Sequence, residues 1–232
     1  MKIAIINFSG NVGKTTVARH LLLPRMANAV VVSIESANAD EGETDALNGK
    51  QFTRLQRAMQ VTDDLIVDIG ASNIEDLLES MEKFKGSHED FDFFVVPTVA
   101  DAKQLRDTAN TVAKLASIGV EPARIRIVLN RVDNGTPIED QFSTLVKYLA
   151  ENPLCTFNEK CALTENEIYQ LVKHDSRSIG DLAADTTDFK GLIAKAATTD
   201  EKIKLADKLA IKRLASGVLP ELDACFKALA LA

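Results

Sequence analysis

The sequence predicts a doubly wound α/β fold: a mainly parallel sheet, a phosphate-binding loop after the first strand, and C-terminal helices. Three observations carry this. Short β-rich runs, apolar nearly throughout, alternate with helical patterns up to about Tyr169. The first of these runs opens directly into a loop that ends Gly13-Lys14-Thr15-Thr16. Past Tyr169 the pattern is helical to the end.

Taken in order, the expected strands are 2–7, 29–34, 65–68, 91–96 and 124–130. Each is short enough to be a strand and too uniformly apolar to be a half-exposed one. The expected helices between them are 14–23, stopped by Pro24, then 51–59, 73–84 after Ser72, 102–118, and 138–149 after Pro137. Three more follow at 179–184, 200–215 and 219–231. The expectation is one domain over 1–232, with 186–232 a helical extension packed on it and "ADTTDFKG" the hinge before the last helices.

Composition bounds the function. A chain of 232 residues with 46% hydrophobic content can bury a sizeable core. Aromatics are only 5% and Trp is absent, which argues against a stacking platform for single-stranded nucleic acid. A net charge of −7 leaves polyanion binding to a local basic patch. Cys155, Cys161 and Cys225 give no disulfide framework and lack zinc-ligand spacing, so small buried residues are the plainer reading. The N-terminal apolar run is too short for a signal peptide, and no stretch approaches a membrane span. A soluble, cytoplasmic protein with no membrane role is expected.

The loop carries the chemistry. The general phosphate-loop pattern is G-x-x-x-x-G-K-[ST], and Gly13, Lys14 and Thr15 satisfy its second half, while Phe8 stands where the first Gly belongs. Backbone N–H groups from Gly10, Asn11, Val12, Gly13, Lys14, Thr15 and Thr16 can still wrap a phosphate, helped by the partial positive charge of the helix N-terminus. Lys14 can reach the β- and γ-phosphates, and the Thr15 hydroxyl can ligate Mg²⁺. The bland alternative is a strand-to-helix turn that happens to contain Gly-Lys-Thr.

Two acids are placed to help. Asp68 ends the run "LIVDIG" and can hold a water on Mg²⁺, while Gly70 can offer a backbone N–H to a γ-phosphate. Glu35, just past "VVVSI", can orient or deprotonate an attacking water, or equally be a solvated loop acid. In "IVLNRVDNG", Asn130 can hydrogen-bond a purine base and Arg131 can stack on it. Asn130 and Asp133 also fit an N-[KR]-x-D guanine-reading pattern, and the same residues suit turn formation ahead of Gly135.

Together, "SGNVGKTT", "VVVSIES", "LIVDIGASN", "FVVPT" and "ALTENEIYQLVKHDSRSI" resemble the ParA/MinD family of P-loop ATPases, with its deviant Walker A motif, over about residues 1 to 185. The family pattern K-G-G-x-G-K-[ST]-[ST] has Ser9 here in place of its signature lysine and Asn11 in place of its second glycine. Of the family's D-x-D segment only the second acid survives, as Glu35. The departures "INFSGNVGKTT" and "VDIGASN" are similar to the StbB branch found on conjugative plasmids. The resemblance implies ATP and Mg²⁺, a weak ATPase, Lys14 and Glu35 in catalysis, and Thr15 and Asp68 at the metal. It also implies a nucleotide-dependent homodimer, a small DNA-binding partner protein of a plasmid stability operon, and non-specific DNA contact. The loss of the signature lysine removes the contact the family makes across its dimer.

Two other functions stay open: a small-molecule kinase or ligase on the same fold, as in dethiobiotin synthetase, and a nucleotide-binding scaffold that does not hydrolyse. A basic stripe at Lys204, Lys208 and Lys212, with Lys202 and Arg213 beside it, reads either as a solvated helix face or as a DNA patch.

Overall fold

The computed structural model describes residues 1–34, 49–173, 175 and 177–231. By its internal contacts the chain forms two compact units, Met1–Glu165 with the last residues from Cys225, and Asn166–Ala224.

The first unit is built on one six-stranded sheet, parallel throughout. Its strands are β1 (Lys2–Ile5), β2 (Val30–Ile34), β3 (Leu65–Ile69), β4 (Phe93–Thr98), β5 (Ile125–Val132) and β6 (Ala162–Thr164), in the order β2-β3-β1-β4-β5-β6. The expected α/β fold is therefore observed. Every residue of β3 is buried, as are all but the first of β1 and of β4. That is why these strands read as continuous apolar runs rather than alternating ones. Edge strand β2 is only partly covered. The chain winds out to β2 and β3 on one side of β1, then to β4, β5 and β6 on the other, so the winding reverses at β1. In sheets of this kind ligands bind beyond the carboxyl ends of the strands at that point.

The helices of this unit are α1 (Lys14–Thr16, continued by a π-helical turn at Val17–Leu22), α2 (Gly49–Val61), α3 (Ile74–Lys83), α4 (Ala102–Ser117), α5 (Ile138–Gln141) and α6 (Ser143–Glu151). Apolar side chains from α2, α3, α4 and α6 pack with those of the sheet in one core. Three expectations are corrected here. β6 was not expected, because three residues carry no periodicity. The helix expected over 138–149 breaks at Phe142, which packs fully buried into the core. β5 runs past Asn130 to Val132, with a register irregularity against β6 and Arg131 at φ +53°.

The second unit holds α7 (Ile168–Leu171), α8 (Ile179–Ala184), α9 (Phe189–Lys195) and most of α10 (Thr199–Leu229). A reciprocal capping box between Ser178 and Asp181 starts α8. The segment expected to be a hinge is instead fastened by local bonds. Asp185 accepts from the Thr187 amide, Asp188 accepts from the Gly191 amide, and α9 begins within it. The two terminal helices expected at 200–215 and 219–231 are one helix running through Pro220. Ala215, Val218, Leu222, Cys225 and Leu229 recur three or four residues apart and are all buried, so one continuous apolar stripe outweighs the single hydrogen bond the proline removes.

Candidate functional site

Buried polar side chains are costly unless they are bonded, and a core rarely collects many. Here Asn7, Ser9, Lys14, Asp68, Asn73, Thr98, Thr108, Thr111 and Asn130 are all buried, and each belongs to β1, β3, β4 or β5 at the carboxyl end or to the segment or helix that follows. Ser80 and Ser87 are the other buried polar side chains among the described residues. The concentration marks this sheet edge as the site.

The loop from Asn7 to Gly13 has an unusual backbone. Asn11 sits at φ +59° and Gly13 at φ +92°. Gly13 is required on two counts: its φ suits glycine, and a Cβ there would lie 2.0 Å from Asn130 Nδ2. Asn130 Nδ2 donates to the Val12 carbonyl at 2.9 Å, so β5 braces the loop from behind. Among the described residues, nothing accepts from the backbone N–H groups of Gly10, Asn11, Val12 or Gly13, and α1 starts without a side-chain cap. Gly10 and Asn11 are exposed. A row of unclaimed donors ahead of a helix N-terminus is what an anionic phosphate group needs.

Lys14 is folded back onto this loop. Its Nζ donates to the carbonyls of Ser9 at 2.8 Å and Asn7 at 3.1 Å. Burial pulls its pKa down from 10.5 to about 8, with the Asp68 carboxylate working in the opposite direction. Thr15 Oγ1 donates to Asp68 Oδ2 at 2.7 Å. Asp68 pairs in register with Ile5 of β1 and Ser33 of β2, which fixes it beside the loop. The hydroxyl and carboxylate are hard oxygen ligands of the type Mg²⁺ takes, and Mg²⁺ binds through one or two protein oxygens together with water and phosphate. The residues present therefore fit that ion.

The other expected residues fall as follows. Thr16 lies at the start of α1, half-buried. The Gly70 amide donates to the Ile34 carbonyl at 2.8 Å, so here it extends the β2–β3 ladder rather than facing the loop. The Asn130 amide nitrogen, expected at a base, is buried against Val12. Arg131 is exposed, in a left-handed backbone conformation. Asp133 is exposed and bound into its own turn, accepting from the Gly135 amide and the Thr136 hydroxyl, both at 3.0 Å. Glu35 lies outside the described residues. Burial raises the thiols of Cys155 and Cys161 to about 11, well away from the thiolate form that metals bind.

Sequence reasoning missed Asn7, Thr98, Thr108 and Thr111, which bond the start of the loop to α4. The available signal was a pair of threonines at i and i+3 on the otherwise apolar face of a helix.

No protein-family model matches the chain, and no curated protein matches it by sequence. Its fold is similar to solved structures at low identity. Apo McdA of Cyanothece superposes with a TM-score of 0.56 at 13% identity, covering 90% of this chain and 98% of that one. The MinD cell division protein of Aquifex aeolicus gives 0.54 at 12%, covering 93% and 97%. The septum site-determining protein MinD of Pyrococcus horikoshii, complexed with Mg-ADP, gives 0.51 at 14%, covering 94% and 95%. At these identities the likeness is one of fold: this chain has the α/β architecture of the McdA and MinD structures over nearly its whole length.

Proposed function

We propose that this protein is a nucleotide-switched P-loop ATPase of the ParA/MinD kind, binding ATP with Mg²⁺. The single observation that carries the reading is the loop itself. Four successive N–H donors at residues 10 to 13 are unclaimed among the described residues, beside a buried lysine and a threonine–carboxylate pair. The nucleotides in related folds support it, since one MinD structure holds Mg-ADP and a McdA variant of Cyanothece (TM-score 0.51, 15% identity) is an ATP complex. Asp133 favours adenine over guanine, because its carboxylate is already engaged by Gly135 and Thr136.

In this reading the N–H groups from Gly10 to Thr16 hold the phosphates, and Lys14 leaves the Asn7 and Ser9 carbonyls to place its charge on them. Thr15 and Asp68 would hold Mg²⁺, which would supply positive charge to offset that of the phosphates. Gly70 offers its N–H to the terminal phosphate only after giving up Ile34. Glu35 orients the attacking water. Arg131 flanks the base, while Asn130 stays behind the loop on the Val12 carbonyl.

The finer assignment is to plasmid stability or positioning, close to StbB and linked to conjugation, with a small DNA-binding partner and a nucleotide-dependent homodimer. Non-specific DNA contact belongs to α10. Lys204, Lys208 and Arg213 on it are exposed, Lys212 is half-buried, and nothing in α10 before Ala215 is fully buried. Random duplex DNA should then bind with an affinity that falls steeply with salt, and changing Lys204, Lys208 and Lys212 together to Glu should abolish it.

A second reading, binding without turnover, is favoured by Ser9. It is 1% exposed where the family carries its signature lysine, and it can extend no charge to a second subunit. Titration with ATP and with GTP in Mg²⁺, sizing of the complex, and turnover with and without DNA test both readings. Binding of neither nucleotide removes the proposal, and tight ATP binding with no turnover selects the scaffold. Glu35→Ala should keep ATP bound and slow its hydrolysis.

A further inference from the structure

The start of the phosphate loop is held by a hydrogen-bond network whose donors and acceptors can be counted in full. Asn7 Nδ2 has two protons, one donated to the Pro97 carbonyl at 2.9 Å and one to Thr108 Oγ1 at 2.8 Å. Asn7 Oδ1 accepts from the Ser9 amide at 2.8 Å. Thr108 Oγ1 has one proton, which goes to the Gln104 carbonyl at 2.7 Å; its 2.8 Å contact with Thr98 is therefore donated by the Thr98 hydroxyl. Three residues on, Thr111 Oγ1 donates to the Asp107 carbonyl and accepts from the Phe8 amide at 3.1 Å. Asn7, Thr98, Thr108 and Thr111 have no solvent-exposed surface.

The three bonds in this set that leave the loop run from Asn7 to Pro97 of β4 and Thr108 of α4, and from Phe8 to Thr111 of α4. The backbone of the same two residues, Asn7 and Ser9, supplies the carbonyls on which Lys14 rests. The buried Ser9 hydroxyl helps to hold the Asp107 carboxyl below its ordinary range, but among the described residues it closes no hydrogen bond of normal geometry. This end of the loop is thus fixed through Asn7 and the two threonines. Buried networks of this completeness hold one geometry, because each member lost leaves a partner unsatisfied in a dry site.

We propose that Asn7 is the positioning residue of this loop: anchored on Thr108, it sets the Asn7 and Ser9 carbonyls from which Lys14 is released to phosphate, and α4 is the helix that feels whether the loop is filled. The proposal rests on the nucleotide reading above. A ligand that draws Lys14 off the Asn7 and Ser9 carbonyls changes the load on the bonds those residues make to Thr108 and Thr111. Neither threonine touches the loop's unclaimed donors, so each acts through Asn7 or Phe8.

The test compares Thr108→Val, which keeps the shape and removes the hydroxyl, with Thr108→Ser, which keeps the hydroxyl. In wild type, ATP·Mg²⁺ is expected to change amide exchange over residues 102–111 and to shift the Asn7 side-chain amide resonances. Thr108→Val should bind ATP·Mg²⁺ roughly tenfold more weakly, the equivalent of one buried hydrogen bond, and α4 should stop responding. Thr108→Ser should restore both. Thr111→Val, which cuts the tie at Phe8, takes its place if Thr108→Val does not fold. Parent affinity with an unchanged α4 response in the valine variant overturns the proposal. A wild type that binds no ATP·Mg²⁺ overturns the nucleotide reading itself, so the two failures are distinguishable.

Discussion

Thr15 Oγ1 lies 2.7 Å from Asp68 Oδ2, joining the first residue pair of α1 to the carboxyl end of β3. The bond holds both oxygens on one side of the loop before any ligand arrives. Asp68→Asn keeps an acceptor for the hydroxyl and removes the charge. Its ATP affinity should lose most of its dependence on Mg²⁺, a drop of roughly tenfold or more, as when a group orienting a metal is lost. Calorimetry with and without Mg²⁺ measures this, and parent Mg²⁺ dependence in the variant would reject Asp68 as a metal residue.

Lys14 makes a prediction about stability that needs no nucleotide. Its folded pKa of about 8 lies below the ordinary 10.5. Between those values the unfolded chain holds a proton that the folded one has released, so stability rises with pH through the window. The contribution is about 3 kcal/mol. Chemical denaturation at pH 7.5 and pH 10.5 should show this rise in wild type and a flatter profile in Lys14→Met. Equal profiles would place Lys14 in solvent. Lys14→Met should also bind ATP poorly.

Gly13 and Asn130 are predicted to be coupled. Gly13→Ala forces a left-handed residue and a contact with Asn130 Nδ2, and should destabilise by about 3 kcal/mol or more. Adding Asn130→Ala removes the clash but not the backbone strain, so the double variant should recover part of the loss. A double-mutant cycle by urea denaturation reads the coupling. Simple additivity would mean that the two residues do not meet.

His20, in the π-helical turn after the loop, is held down to about pKa 4 by burial and then by Arg19. The unfolded chain therefore takes up a proton first as pH falls from 6.5 to 4, and stability is lost across that window, by about 3 kcal/mol. His20→Gln should lose less than wild type between pH 7 and pH 4. An identical loss in both would assign the acid sensitivity to the carboxylates alone.

The sheet was legible because β1, β3 and β4 are buried on both faces, so each stands out as an apolar run. The loop was legible because glycine, lysine and threonine were adjacent in sequence and followed a strand. What was hidden depended on distance along the chain. Asn7 meets Thr108 across 101 residues, and Asn130 meets Val12 across 118. No spacing rule shows an isolated Asn at a strand end turning toward a loop rather than a base. Pro220 is a local helix breaker, and the apolar stripe from Ala215 to Leu229, whose burial no local propensity reveals, outweighs it.

The end of α10 returns to the sheet unit. Arg126 donates to the Leu229 and Ala230 carbonyls while its guanidinium lies 5.0 Å over the Phe93 ring, and Asn158 donates to the Ala228 carbonyl. Residues 166–224 are thus an interruption of the first unit rather than a tail on it. A stop codon anywhere in that stretch would also strip the last helical turn from β5 and leave Arg126 without the acceptors it meets there. Genetic dissection of this protein therefore calls for an internal deletion that rejoins Glu165 to Cys225, not for a series of shortened chains.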